Sequence, residues 1–440
     1  MTPRWEAFRN AMVLVVCAVL FLTPLAPAYS VLTHETIIDA AWDKDIVPVL
    51  RQRFPQATAD ELREAHGYAY GGAIVQDMGY YPYGSKFFSD LAHYVRSGDF
   101  VLALLRDAQN LNEYAFAAGA LAHYAADNKG HLLATNRAVP VLYPKIKKKY
   151  GNVVTYEDDP LAHLKTEFGF DVLEVAKGRF PADAYHQFIG FNVARPLLDR
   201  AFYETYGIEL ESVLKDEDKS IGSYRHAVSK TIPEATKVAW QLKKNDIQKD
   251  IPGITRQKFL YNVSRANYEK SWGTLYQKPT FKEKLLAFIF RILPKVGKLR
   301  ALTFRTPTPQ TEKFFEESFN ATLDEYRGLL RAQRENRLTL PNDNFDVGKA
   351  TGPGEYQLED KTYADLLQRL AQQKFAGLTP ELRADVLNFY SYPNAAYATK
   401  KDPKAWAQVQ SELQELKQTS AATANAGAAK SDNGTSSRQQ

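Results

Sequence analysis

Histidines and carboxylates at one-turn spacing are the feature of this chain that points most directly to chemistry. His123-x-x-x-Asp127-x-x-x-His131 sets three potential metal ligands four residues apart. On a helix they would fall on one stripe, because side chains at i and i+4 lie one above the other. Gly130 is a possible helix end just before His131. The same spacing recurs in His163-x-x-x-Glu167. Imidazole and carboxylate suit zinc, and one-turn spacing lets two side chains share an ion or reach adjacent ions. Either motif alone reads sooner as a surface hydrogen bond or an intrahelical pair than as a metal site. Together with His34, Asp77 and His93 in the same half of the chain, they predict a metal cluster. A bound dication would make water a nucleophile near neutral pH, which fits hydrolytic chemistry. His66, His186 and His226 fit no ligand spacing and are left out of the site.

Taken in order, these pieces resemble the zinc-dependent phospholipase C family. The resemblance is carried by Ser30-Val31-Leu32-Thr33-His34-Glu35, Gln76-Asp77-Met78-Gly79, Leu91-Ala92-His93-Tyr94 and the two helical motifs, over roughly residues 29 to 200. It implies that Asp77, His93, His123 and Asp127 hold one zinc and that His131, His163 and Glu167 hold a second. Asp127 would bridge to a third ion, bound with His34 and the backbone of the mature first residue. That residue would be Tyr29, where the family usually has tryptophan or cysteine. The resemblance further implies two to three zinc ions per chain, Asp77 as a ligand also cast as the catalytic base, and a phospholipid or other phosphodiester as substrate. The implied second ion has three protein ligands, which leaves room for water. The short Asp127-to-His131 spacing is more similar to the glycosylphosphatidylinositol-specific phospholipase D branch than to the secreted bacterial lecithinases. Two rival functions stand beside this one: a single-strand nuclease of the fungal trinuclear zinc type, and a non-catalytic zinc-stabilised helical envelope protein.

The elements that must position these residues read as helices, so the expected fold is all-α. Apolar periodicity predicts a helix after Thr33 with a bend or break at Pro48. Thr58-x-x-Glu61 is a capping box that opens a second helix. Residues 70–85, rich in glycine and tyrosine, read as a loop; helices are expected over about 87–95, 101–128, 161–177 and 183–206. The catalytic domain is placed at 29–206, a second, mainly helical region at 207–416, and a disordered tail at 417–440. Tyr80, Tyr81, Tyr83, Phe87 and Phe88 follow Asp77; they are either a cation–π cradle for a choline-like ammonium or ordinary packing. The basic and apolar stretch 282–305 is either a membrane-docking helix interrupted by Pro294 or two packed helices.

Composition bounds the rest. With 45% hydrophobic residues over 440 positions the chain can bury a large core, and its net charge of +5 is too small an excess to argue for a nucleic-acid partner. Arg4 and Arg9, the apolar run from Ala11 to Leu22 and Ala26-Pro27-Ala28 read as a signal peptide over 1–28, so the protein is expected to be exported. Cys17, the chain's one cysteine, lies in that run. The mature chain would have no thiol for a disulfide or a zinc site, leaving histidine and carboxylate as ligands.

Overall fold

A computed structural model describes residues 31–81, 83–176, 192–214, 216–226 and 304–419. The described residues are helical as the periodicity predicts, with no strand among them and one isolated antiparallel bridge between Asn344 and Lys349. The proposed signal peptide, Tyr29, His186, nearly all of 282–305 and nearly all of the tail lie outside them.

Helix α1, Val31–Ala41, is buried over most of its length and widens into a π-turn at Trp42–Ile46 before the helix Val47–Arg53. Pro48 sits in the first turn of that last helix, where its missing N–H costs no hydrogen bond. The irregularity expected at Pro48 therefore precedes it. Helix α2, Ala59–Gly72, opens on the expected capping box: Glu61 N–H donates to the Thr58 hydroxyl at 3.2 Å, and Thr58 N–H donates to the Glu61 carboxylate at 2.8 Å.

The expected loop over 70–85 is corrected in part. Helix α2 continues to Gly72, and Val75–Tyr80 forms a buried 3-10 helix. These glycines serve close packing as much as turning. A Cβ at Gly72 would lie 1.9 Å from the carbonyl oxygen of Phe116.

Helix α3 spans Lys86–Tyr94. The helix expected over 101–128 is divided into Ser97–Asp107 and α4, Leu111–Lys129. The Asn110 side chain restarts it by accepting from Glu113 N–H at 2.9 Å. Helix α4 is buried on every side from Glu113 to Asn128, which explains its alanines: neighbours press close to its backbone all round. Gly119 is one such point, since a Cβ there would meet Ala69 O at 2.0 Å. Gly130 does not end the winding; the chain passes through a π-turn at Gly130–Thr135 and continues as Asn136–Leu142.

Helices α5, Pro160–Ala176, and α6, Arg195–Tyr206, complete the first half. Beyond residue 303, α7, Pro309–Arg334, packs along α4, and α8, Gln357–Gln372, packs on α3. The helix Pro403–Gln418 closes the described chain. Residues on both sides of the boundary expected after Tyr206 contribute to one apolar core. Phe170 of α5 meets Phe315 of α7 at 5.0 Å between ring centroids, and the Tyr326 hydroxyl donates to Ala118 O at 2.9 Å.

Candidate metal centre

Each residue at the centre is held by its own element. Asp77 rides on the 3-10 turn, which is pinned to α3 through Ser89. Gly79 N–H donates to the Ser89 hydroxyl at 3.0 Å, and that hydroxyl donates to Gln76 O at 2.5 Å. His93 of α3 has Nδ1 at 2.7 Å from Ser89 O, and His123 of α4 has Nδ1 at 2.9 Å from Ala73 O. A carbonyl oxygen only accepts, so each Nδ1 carries a proton and each Nε2 points inward as the prospective ligand atom. This is how backbone carbonyls fix the tautomer of metal-binding imidazoles.

Those inward atoms converge. His93 Nε2 lies 3.2 Å from Asp77 Oδ1 and 3.4 Å from Asp127 Oδ2, while His123 Nε2 lies 3.1 Å from Asp127 Oδ2. One ligand atom from each of Asp77, His93, His123 and Asp127 falls within 4.8 Å of the others, all four residues being buried. Asp77 Oδ1, both Asp127 oxygens and the two Nε2 atoms are buried without a hydrogen bond. Polar atoms so placed carry a large desolvation cost unless something binds them. A dication satisfies all of them together, so this donor set fits zinc.

Asp127 turns its other oxygen towards α1, where His34 Nε2 lies 3.5 Å from Oδ1 and the His34 ring stacks on His123 at 4.5 Å. His131, His163 and Glu167 are buried beside this group but do not join its close set. His131 sits in the π-turn that follows α4, where the number of residues per turn departs from the α-helical spacing of His123 and Asp127. His131 instead faces Asp346, Nδ1 to Oδ1 at 3.3 Å, with its ring centroid 5.4 Å from that of His163. His163 donates from Nε2 to Val154 O at 2.8 Å and turns Nδ1 to Glu167 Oε1 at 3.3 Å.

Sequence reasoning missed Asp346. It lies in the irregular Pro341–Gly348 run, remote from any histidine in sequence, so no local spacing marks it. The adjacent Phe345 caps the centre, its ring 5.3 Å from His93 and its N–H donating to His93 O at 3.1 Å.

The electrostatics are those of a crowded buried cluster. Burial opposes the charge on His93, but Asp127 and Asp77 override it and push its pKa up to about 10. Burial also opposes ionisation of Asp127, yet His123, His93 and His34 together hold it well below the usual carboxylate range. Burial, aided by His123, drives His34 down to about 3, and burial drives His131 down to about 4 against the pull of Asp346. Burial raises Asp77 and lifts Glu167 to about 7. Without a dication, protons on His93 and its neighbours must balance the carboxylates.

Most of the aromatics after Asp77 are packing residues. Phe88 stacks on Phe202, Tyr81 packs edge-on to Tyr224, and Phe87 lies under the Arg369 guanidinium at 4.6 Å. Tyr83 is 68% exposed. Tyr80 faces the centre, 6.1 Å from His93. His66, kept out of the site, stacks on Trp42 and pairs with Asp39 at 3.1 Å. Residues 33–215 match the model of the family described as zinc dependent phospholipase C. No curated protein and no solved structure gives a match.

Proposed function

Because residues 33–215 belong to the zinc-dependent phospholipase C family, we propose that this chain is a zinc-dependent phosphodiester hydrolase that cleaves phospholipid head groups. The observation that carries the proposal is the convergence of Asp77, His93, His123 and Asp127, with each imidazole fixed from behind by a backbone carbonyl. These four would hold one zinc, His34 and Asp127 would share another with the Tyr29 backbone, and His131, His163 and Glu167 would hold a further one. Bound zinc supplies Lewis acidity towards the phosphoryl oxygens and lowers the pKa of water. The chain contributes a dry, preorganised ligand shell and, in Asp77, a carboxylate raised by burial that is the candidate base.

A cavity of about 580 Å³ supports a lipid substrate. Its wall includes Leu132, the residue after His131, and Val347, the residue after Asp346, and none of the candidate metal ligands themselves. Apolar Leu132 and Phe314 stand there beside Arg137, Lys147 and Lys349. That combination matches an anionic phosphodiester attached to an acyl chain. Export through residues 1–28, a mature start at Tyr29 and membrane contact through 282–305 complete the proposal, and rest on sequence pattern alone.

The test is to load the chain beginning at Tyr29 with zinc and supply phospholipid vesicles. Release of diacylglycerol or phosphatidic acid, abolished by chelation and restored by zinc, is the expected result. Release of nucleotides from single-stranded DNA without lipid turnover would transfer the site to the nuclease reading. Bound zinc with no turnover of lipid, DNA or a generic phosphodiester would leave a non-catalytic zinc protein.

A further inference from the structure

Asp346 reaches the metal centre from well outside the matched segment 33–215. It is 2% exposed, and its Oδ2 accepts from two phenols, Tyr94 at 2.9 Å and Tyr356. With Oδ2 engaged, Oδ1 is the oxygen turned to His131 Nδ1 at 3.3 Å. Both ring nitrogens of His131 are buried without a hydrogen bond. The two residues therefore face each other as neighbouring ligands do, rather than as a hydrogen-bonded pair.

The backbone around Asp346 is held on both sides. Asp346 N–H donates to the Asn344 side chain at 3.1 Å, and Asp346 O accepts from Asn136 Nδ2 at 2.7 Å, five residues beyond His131. Gly348 closes the turn at φ +67°, with space for no side chain, since a Cβ would meet Asn128 O at 2.3 Å. A carboxylate fixed this firmly, with one oxygen reserved, is preorganised for a cation.

We propose that Asp346 is a ligand of the metal ion held by His131, His163 and Glu167, so that the C-terminal part of the chain completes a site the first half leaves open. The proposal rests on the zinc reading above. His163, with Nε2 engaged by Val154 O, turns Nδ1 to Glu167 Oε1 at 3.3 Å, so that an ion between them would take the place of that contact, and Glu167 Oε2 is a buried oxygen with no hydrogen bond. A fourth protein donor moves this site towards the closed pattern of structural zinc.

The test counts metal in the full chain by elemental analysis after gel filtration, and reads the absorption spectrum of the cobalt-substituted protein. Asp346→Asn keeps an acceptor for the two phenols but removes the anionic ligand. It is expected to lose one ion relative to the parent and to change the cobalt spectrum, with helical circular dichroism preserved. His131→Ala should lose the same ion, so the double variant should lose no more than either single one. Tyr356→Phe, which frees part of Oδ2, should weaken that ion by roughly tenfold in competition with a chromophoric chelator. Unchanged stoichiometry, affinity and cobalt spectrum in Asp346→Asn would overturn the proposal while leaving the zinc hydrolase reading intact. A parent chain that binds no metal would overturn both.

Discussion

The buried carboxylates of the metal centre and those of the C-terminal part are satisfied in different ways. In the C-terminal part, Asp360 accepts from Gly354 N–H at 2.9 Å and Ala398 N–H at 2.7 Å, and Glu359 accepts from Asn344 at 3.4 Å and from the Thr351 hydroxyl. In the first half, Asp77 Oδ1 and both oxygens of Asp127 are buried with imidazoles close by and no hydrogen bond. Desolvation burdens both groups alike. Backbone and hydroxyl donors offset that cost in one place, whereas the other arrangement fits a bound cation. Asp346 combines the two, with phenols on one oxygen and an imidazole facing the other.

The most damaging way to break the contrast is Asp127→Asn, which removes the negative charge between His93, His123 and His34 and replaces one of the two oxygens facing them with an amide NH2. Zinc content should fall at two positions, and activity by more than the roughly 10–100-fold that loss of an outer-shell partner costs. Full zinc and full turnover in this variant would take Asp127 out of the centre.

Acid should act next most strongly. His93 keeps its proton up to about 10 in the metal-free chain, so zinc must displace it. Affinity should then fall by about tenfold per pH unit on acidification for each proton displaced. Calorimetry in buffers of different ionisation enthalpy would count those protons, and a pH-independent affinity would contradict the sign.

Chelation should destabilise the first half by about 3 kcal/mol when zinc was present at a hundred times its dissociation constant. In the metal-free chain the raised His93 pKa contributes stability that is complete below about 6.5 and lost as pH rises through about 10. The drop in melting temperature on chelation should therefore be larger at pH 9 than at pH 6.

Asp360→Asn tests the other side of the comparison. An amide oxygen can replace only part of the carboxylate's acceptance from Gly354 and Ala398, which should cost about 1–3 kcal/mol in denaturant unfolding. Zinc content should not change. The smallest effect is expected for Ser89→Ala, which leaves the buried Gly79 N–H without its acceptor and loosens the turn bearing Asp77. A loss of about 1 kcal/mol and about tenfold in zinc affinity is expected. Unaltered affinity would mean that Asp77 is positioned by other contacts.

What could be read in the sequence was what depends on near neighbours. His123 with Asp127 and His163 with Glu167 stand one helical turn apart, and the Thr58 and Glu61 capping box is local by construction, so helical character and these two candidate ligand pairs follow from periodicity alone. The π-turn at Gly130–Thr135 already escaped that logic, because an α-helical template assumes a constant number of residues per turn. The helical end of the 70–85 segment escaped it too: Gly71 and Gly72 look like turn residues until Asn192 and Phe116 are packed against them. Only the tertiary structure placed Asp346 opposite His131, 215 positions away in sequence. Hydrogen bonds from Asn136 and two tyrosines and the close approach of Gly348 to α4 bring that irregular segment to the centre, and none of these long-range contacts leaves a period in the sequence.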